Sequence, residues 1–150
     1  MANSLEYLRW RGDLTFKEKP FNSVDASLLA SLVYLPVDKS AAGHTLKEAA
    51  ERLHDLPSFQ HQMHDETGTE IWLLPKAPRL GNLEILNWTN RMEREPRPLQ
   101  FTAATFRITD NTIAISYRGT DSSMIGWNED MIMNFTPEVY GQNVAANYLN

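Results

Sequence analysis

The sequence predicts an α/β chain in which N-terminal helices pack on a small sheet containing an antiparallel hairpin. Three observations carry that expectation. Val24, Leu28, Leu29, Leu32, Val33 and Leu35 recur at helical spacing, as one buried face of a 3.6-residue period requires. From Thr112 to Arg118 the chain alternates at period two, with Ile113, Ile115 and Tyr117 in step, as a strand does. Asp110-Asn111 separates that run from a second strand signal, Gln100 to Ile108, and a tight turn between two such runs specifies a hairpin.

The elements follow in order. Leu5, Tyr7 and Leu8 suit one or two helical turns between Ser4 and Trp10, closed by Gly12. Asn22 and Ser23 supply caps for the next helix, and Asp25 complements its N-terminal dipole; the pattern ends at Pro36. Thr45-Leu46-Lys47-Glu48 is a capping box, in which hydroxyl and carboxylate each take an orphan amide. Leu46, Ala49, Ala50 and Leu53 form the apolar stripe behind it, and Pro57 limits the far end. Pro57 to Gly68 is polar and bears histidines, and Glu70 to Leu74 is a short apolar run before Pro75 and Pro78 to which no element is assigned.

Beyond Gly81, Leu83 to Thr89 alternates like a strand and Arg91 to Pro98 reads as a charged loop; the hairpin comes next. Trp127 to Asn134 and Pro137 to Asn150 read as helices. No repeat, low-complexity tract or linker divides the chain. It reads as a single domain over 1–150, mainly helical over 1–80 and carrying strands and helices over 81–150.

Composition narrows the function. With 14 basic and 19 acidic residues the net charge is -5, which argues against a nucleic-acid partner. No apolar run approaches the roughly 18 residues of a membrane span, and charges stand where a signal peptide needs its apolar core; a cytoplasmic chain without a transmembrane segment is expected. The absence of cysteine excludes thiolate chemistry and a disulfide framework. No cofactor or metal is expected. His61 and His64, one helical turn apart beside Asp65 and not far from His54, invite a metal reading, but no His-Glu-x-x-His pattern sharpens it, and solvated histidines account for the segment. Arg11-Gly12-Asp13 reads as a helix terminus and Asn87-Trp88-Thr89 as part of a strand.

The most informative stretch is Thr112 to Asp121, followed by Gly126-Trp127-Asn128-Glu129-Asp130. Gly119 breaks the alternation at a point where a backbone amide can be left pointing outward. Acyl-transfer enzymes build oxyanion holes in this way, and one such donor is worth about 3–4 kcal/mol of barrier. No Gly-x-Ser-x-Gly elbow occurs in the chain, and no cysteine replaces its serine.

Tyr117-Arg118-Gly119-Thr120-Asp121, Gly126-Trp127 and Glu129-Asp130 resemble the first half of the class 3 (fungal triacylglycerol-type) lipases. They resemble more closely a group of uncharacterised bacterial lipase-like proteins of the α/β-hydrolase fold. Tyr7 to Phe16, with Pro20-Phe21-Asn22-x-Val24-Asp25, is similar to the opening of that group. The resemblance implies a partial α/β-hydrolase-like fold in which Thr120 is the oxyanion residue, through its amide and side chain, and Asp130 orients it. Trp127 would pack the intervening helix, and Arg118, Gly119 and Asp121 would support the turn, Arg118 by pairing with Asp121 or Asp130. The nucleophile, acid and histidine of such enzymes would fall beyond Asn150.

The expectation is therefore the N-terminal part of a serine esterase or lipase-like hydrolase, inactive alone, with an acyl-ester substrate only in a fuller protein. Plainer readings stand beside it. Thr120 also suits a turn residue whose hydroxyl caps the next segment, and Asp130 a solvent-facing helix position. The rival function is a noncatalytic, self-associating module, a homo-oligomer formed through the open edge of the strand from Thr112 to Arg118.

Overall fold

The computed structural model describes residues 4–56, 73–119 and 124–149. The first helix, α1 (Ser4–Arg11), is short and buries Leu8. It stops where Gly12 donates its N–H to Leu8 O at 3.0 Å, at a position too close to the Leu8 carbonyl and the Ala77 side chain to hold a β-carbon. Helix α2 (Ser23–Leu32) opens on a capping box that Asn22 and Asp25 share. The Asn22 side chain accepts from the Val24 amide at 2.8 Å, and Asp25 Oδ2 accepts from the Asn22 amide at 3.0 Å. Helix α3 (Leu46–His54) opens on the Thr45–Glu48 box foreseen from the sequence and buries all four residues of its apolar stripe.

A 3-10 turn at Leu74–Lys76 leads into a single helical turn, α4 (Pro78–Gly81). Three antiparallel strands follow, β1 (Glu84–Glu93), β2 (Leu99–Thr109) and β3 (Thr112–Tyr117), in the order β1-β2-β3. The hairpin is thus as expected, whereas β1 extends four residues past Thr89 into the stretch that reads as a charged loop. Its outer half alternates between half-buried and exposed residues because only one face there meets the molecule. Helices α5 (Met124–Met133) and α6 (Tyr140–Tyr148) complete the order. This is a mixed α/β architecture with helices on a small antiparallel sheet.

The central strand separates two apolar clusters, since successive side chains point to opposite faces. Ala104, Phe106 and Ile108 face the larger cluster, where they meet α1 to α4 together with Ile85 and Trp88 of β1. Trp88 and Phe106 pack edge to face with centroids 6.1 Å apart. Leu99, Phe101 and Ala103 face the other way and pack on Tyr140, Val144, Ala145 and Tyr148 of α6. Phe101, Tyr117 and Tyr148 form an aromatic trio there, with centroids 5.9–6.0 Å apart. The loop before α3 docks on the start of β1 by two backbone bonds, Gly43 N–H to Ile85 O and Ile85 N–H to His44 O, each 2.8 Å. Gly43 has φ +81, which a side chain would disfavour.

The helical half is tied together by a buried ion pair between α4 and α2. Arg79 donates Nε–H to Asp25 Oδ1 at 2.7 Å and Nη2–H to Oδ2 at 2.6 Å, and neither side chain is exposed. The remaining guanidinium donors go to backbone carbonyls of the α1–α2 connection: Leu14, Lys19 and Pro20, at 2.9–3.1 Å. Tyr7 OH donates to Asp25 Oδ1 at 3.0 Å, and the guanidinium stacks 4.4 Å from the Phe16 ring centroid. The bond to Asp25 raises the Arg79 pKa further above its ordinary value.

Removing one member of a buried pair strands the other as an uncompensated charge, at a cost of about 3–5 kcal/mol. Arg79→Ala should therefore lower the unfolding free energy by about that amount in urea titration. The double replacement Arg79→Met with Asp25→Leu should recover only the part due to the stranded Asp25 charge, because the Leu14, Lys19 and Pro20 carbonyls and the Asn22 amide still lose their partners; a double variant as stable as wild type would show that neither the pair nor these bonds stabilise the fold.

Candidate functional site

The strand β3 ends at Tyr117, and the next two residues leave the sheet. The Arg118 N–H still donates to Thr102 O at 2.9 Å. Its guanidinium lies 5.8 Å from the ring centroid of Tyr34, which follows α2. Gly119 is exposed, with the Tyr34 hydroxyl beside it. The end of the strand read from the sequence is therefore present, with Gly119 outside the ladder. Thr120 and Asp121, the expected oxyanion residue and its neighbour, lie outside the described residues, as do His61, His64 and Asp65 of the metal reading. Among the described residues no group of three metal-binding side chains comes together.

Where the chain resumes, α5 carries the two remaining expected residues. Asp130 is half-buried and makes interactions of its own; its carbonyl accepts from the Asn134 side chain at 3.1 Å. Trp127 is 61% exposed, so it does not pack the helix into the fold as the resemblance implied. Met124 and Met131 share its exposed face, at i−3 and i+4. With Arg94, Glu95 and Pro98 of the β1–β2 loop they line an open groove of about 600 Å³. A second groove of about 600 Å³ lies between Lys17, Arg79, Glu84, Arg107 and Asp110. Arg118 and Gly119 line neither.

The residue of α5 that enters the protein is Glu129. Its side chain is buried, and Oε2 accepts the Gln100 amide of β2 at 2.7 Å. Oε1 lies against Gly141 in the first turn of α6, whose amide approaches it without completing a well-formed hydrogen bond, and it has no other partner among the described residues. Burial pushes the Glu129 carboxyl above the ordinary carboxylate range, and the Asp130 charge adds to this, while the Gln100 and Gly141 amides pull it partly back. One signal in the sequence pointed here: in Gly-Trp-Asn-Glu-Asp, Glu129 stands on the helix face opposite Trp127-Asn128 and Met131. Nothing in the sequence named Gln100 as its partner, because that bond spans 29 residues.

No helix of the described residues is long and apolar enough to cross a membrane. Among known protein families, the model described as Mbeg1-like matches residues 74–150, just over half of the chain. No curated protein and no solved structure matches.

A carboxyl whose pKa is raised on folding favours the native state below its unfolded pKa and loses that advantage as pH rises through the folded value. Glu18, Asp38 and Glu48, whose values are lowered by local hydrogen bonds, act with the opposite sign. The test is therefore the difference between wild type and Glu129→Gln. From about pH 4.5 upward, where an unfolded glutamate ionises, the stability of wild type relative to the variant should fall, levelling off above the raised value. A constant difference across that range would deny Glu129 its buried titration.

Proposed function

We propose, for a chain that belongs to the Mbeg1-like family, a role as the oxyanion-bearing part of a serine ester hydrolase-like fold that does not turn over substrate by itself. The observation that supports this reading is the exit of β3: the ladder ends at Tyr117, and the exposed Gly119 leads out of the sheet directly into Thr120. In this reading the Thr120 amide and hydroxyl donate to the carbonyl oxygen of an acyl ester as it gains negative charge. Asp130 orients the hydroxyl, and the stacking of Arg118 on Tyr34 holds the strand end. Attack on the ester carbon requires a nucleophile with its general base. No serine of this chain stands in a Gly-x-Ser-x-Gly elbow, so the alkoxide must come from other polypeptide.

With a short-chain nitrophenyl ester, the chain alone should give the rate of buffer. Supplied with a polypeptide bearing an elbow serine, its acid and its histidine, it should turn over. Thr120→Ala should then reduce kcat by about 10²–10³-fold, and an unchanged rate would remove Thr120 from the mechanism.

A second reading, a self-associating module, is favoured by the outer edge of β3. The bond from Arg118 to Thr102 fixes the alternation, so that even-numbered residues of β3 face β2 and the amides of Ile113, Ile115 and Tyr117 point away from it. No described residue pairs with that edge, and open edges recruit further strands. Light scattering coupled to size exclusion should then report a dimer. Ile115→Pro, which removes an outward N–H and no bond to β2, should return it to monomer. A wild-type monomer at high concentration would exclude this reading.

A further inference from the structure

We infer that the outward face of α5 is an interface between two copies of this chain, paired antiparallel about a two-fold axis so that Trp127 of one copy meets Met131 of the other. This surface is separate from the edge of β3, and the inference rests on neither reading of that strand.

Helix α5 is inverted relative to an ordinary surface helix. Such a helix turns its apolar stripe inward and its charges to water, whereas α5 buries Gly126 and Glu129. It presents Met124, Trp127 and Met131 to solvent, at 82%, 61% and 64% exposure. Phe135, 85% exposed, extends the stripe by one turn, because the Phe135 and Thr136 amides continue the bonding to Ile132 O, at 2.9 and 3.1 Å. Trp127 and Phe135 alone leave on the order of 300 Å² uncovered, taking about 200 Å² for a whole aromatic side chain. The two methionines roughly double that, to the upper end of the largest patch a monomer leaves open. With Arg94, Glu95 and Pro98 of the adjoining loop, the face reaches the roughly 800 Å² per partner of a stable interface.

Spacing and charge say what covers it. Met124, Trp127 and Met131 stand at intervals of three and four residues, those of a seam by which helix packs on helix. The open groove of about 600 Å³ beside the stripe admits such a rod and is not matched by a flat surface. The stripe is also complementary to itself. In a two-fold interface, if residue i meets j then j meets i. Antiparallel pairing about the middle of the stripe sets Met124 against Phe135 and Trp127 against Met131, so that each ring meets a thioether, a favourable contact. Charge agrees with this. The chain as a whole carries -5, which opposes association, but the groove wall bears one charge of each sign, Arg94 and Glu95. An anionic lipid surface would call for an excess of cations, which this wall lacks.

The experiment is sedimentation equilibrium on the 150-residue chain, and wild type should sediment as a dimer. Trp127→Lys and Met131→Glu replace exposed side chains, so each should keep the wild-type circular dichroism. Each should weaken association on the order of 10²-fold, since a homodimer buries the new charge twice. Mixed together, the two variants should associate more tightly than either does alone. The mixed pair keeps one Trp127–Met131 contact and sets the introduced ammonium against the introduced carboxylate. Ile115→Pro, on the edge of β3, should leave this dimer intact. A wild type that stays monomeric overturns the proposal, and if that monomer co-sediments with vesicles of phosphatidylcholine and phosphatidylserine, the face belongs to a lipid surface instead. A dimer that both charged variants leave unchanged, or that Ile115→Pro dissolves, overturns it equally. A mixture no tighter than its components overturns the antiparallel pairing.

Discussion

The helical half of this protein depends on one buried contact, the two-pronged pairing of Arg79 with Asp25. Asp25 is an element of local structure, because it closes the capping box that starts α2. Through Arg79 it also becomes an element of tertiary structure, since the guanidinium gathers the carbonyls of an otherwise irregular connection between α1 and α2. Buried backbone carbonyls must find donors, and here a single planar cation serves several of them. The backbone of the same residue also seats α4 on the end of α1, its N–H donating to Gly12 O at 2.9 Å.

A carboxylate does comparable service at the other end of the sheet. Glu129 joins α5 to β2 and stands against the first turn of α6, much as Arg79 joins α4 to the chain before α2. The two differ in completeness. Every donor of Arg79 is matched, whereas one oxygen of Glu129 is buried without a well-formed hydrogen bond.

The parts of the fold legible in the sequence are those that local physics decides. The Thr45–Glu48 box, the stripe through Leu46, Ala49, Ala50 and Leu53, the hairpin at Asp110-Asn111 and the burial of Leu28 and Leu32 needed only short-range spacing. What escaped was set by contacts across long intervals. Asp25 read as a charge complementing a helix end, which it is, and nothing showed that it is also the partner of a residue 54 positions away. Arg79 drew no notice, since a lone arginine after a proline signals nothing by itself. Trp127 was given a packing role by the resemblance, yet it stands on the open face of α5. Of the candidate site, the strand end was legible, and the bond that joins Glu129 to Gln100 across 29 residues was not. The resemblance drew attention to Asp130, one residue past the side chain that enters the sheet.

The division of β2 between two apolar clusters has a consequence for how the molecule breathes. The cluster under α6 is small and joins the remainder chiefly through one strand, while the other gathers residues from four helices and two strands. Opening free energies follow buried contact, and cooperative units coincide with such clusters. Amide protons of α5 and α6 are accordingly the first to meet solvent, by detachment of that layer from an intact remainder. Those of β2 that face β1 exchange only when the whole molecule comes apart.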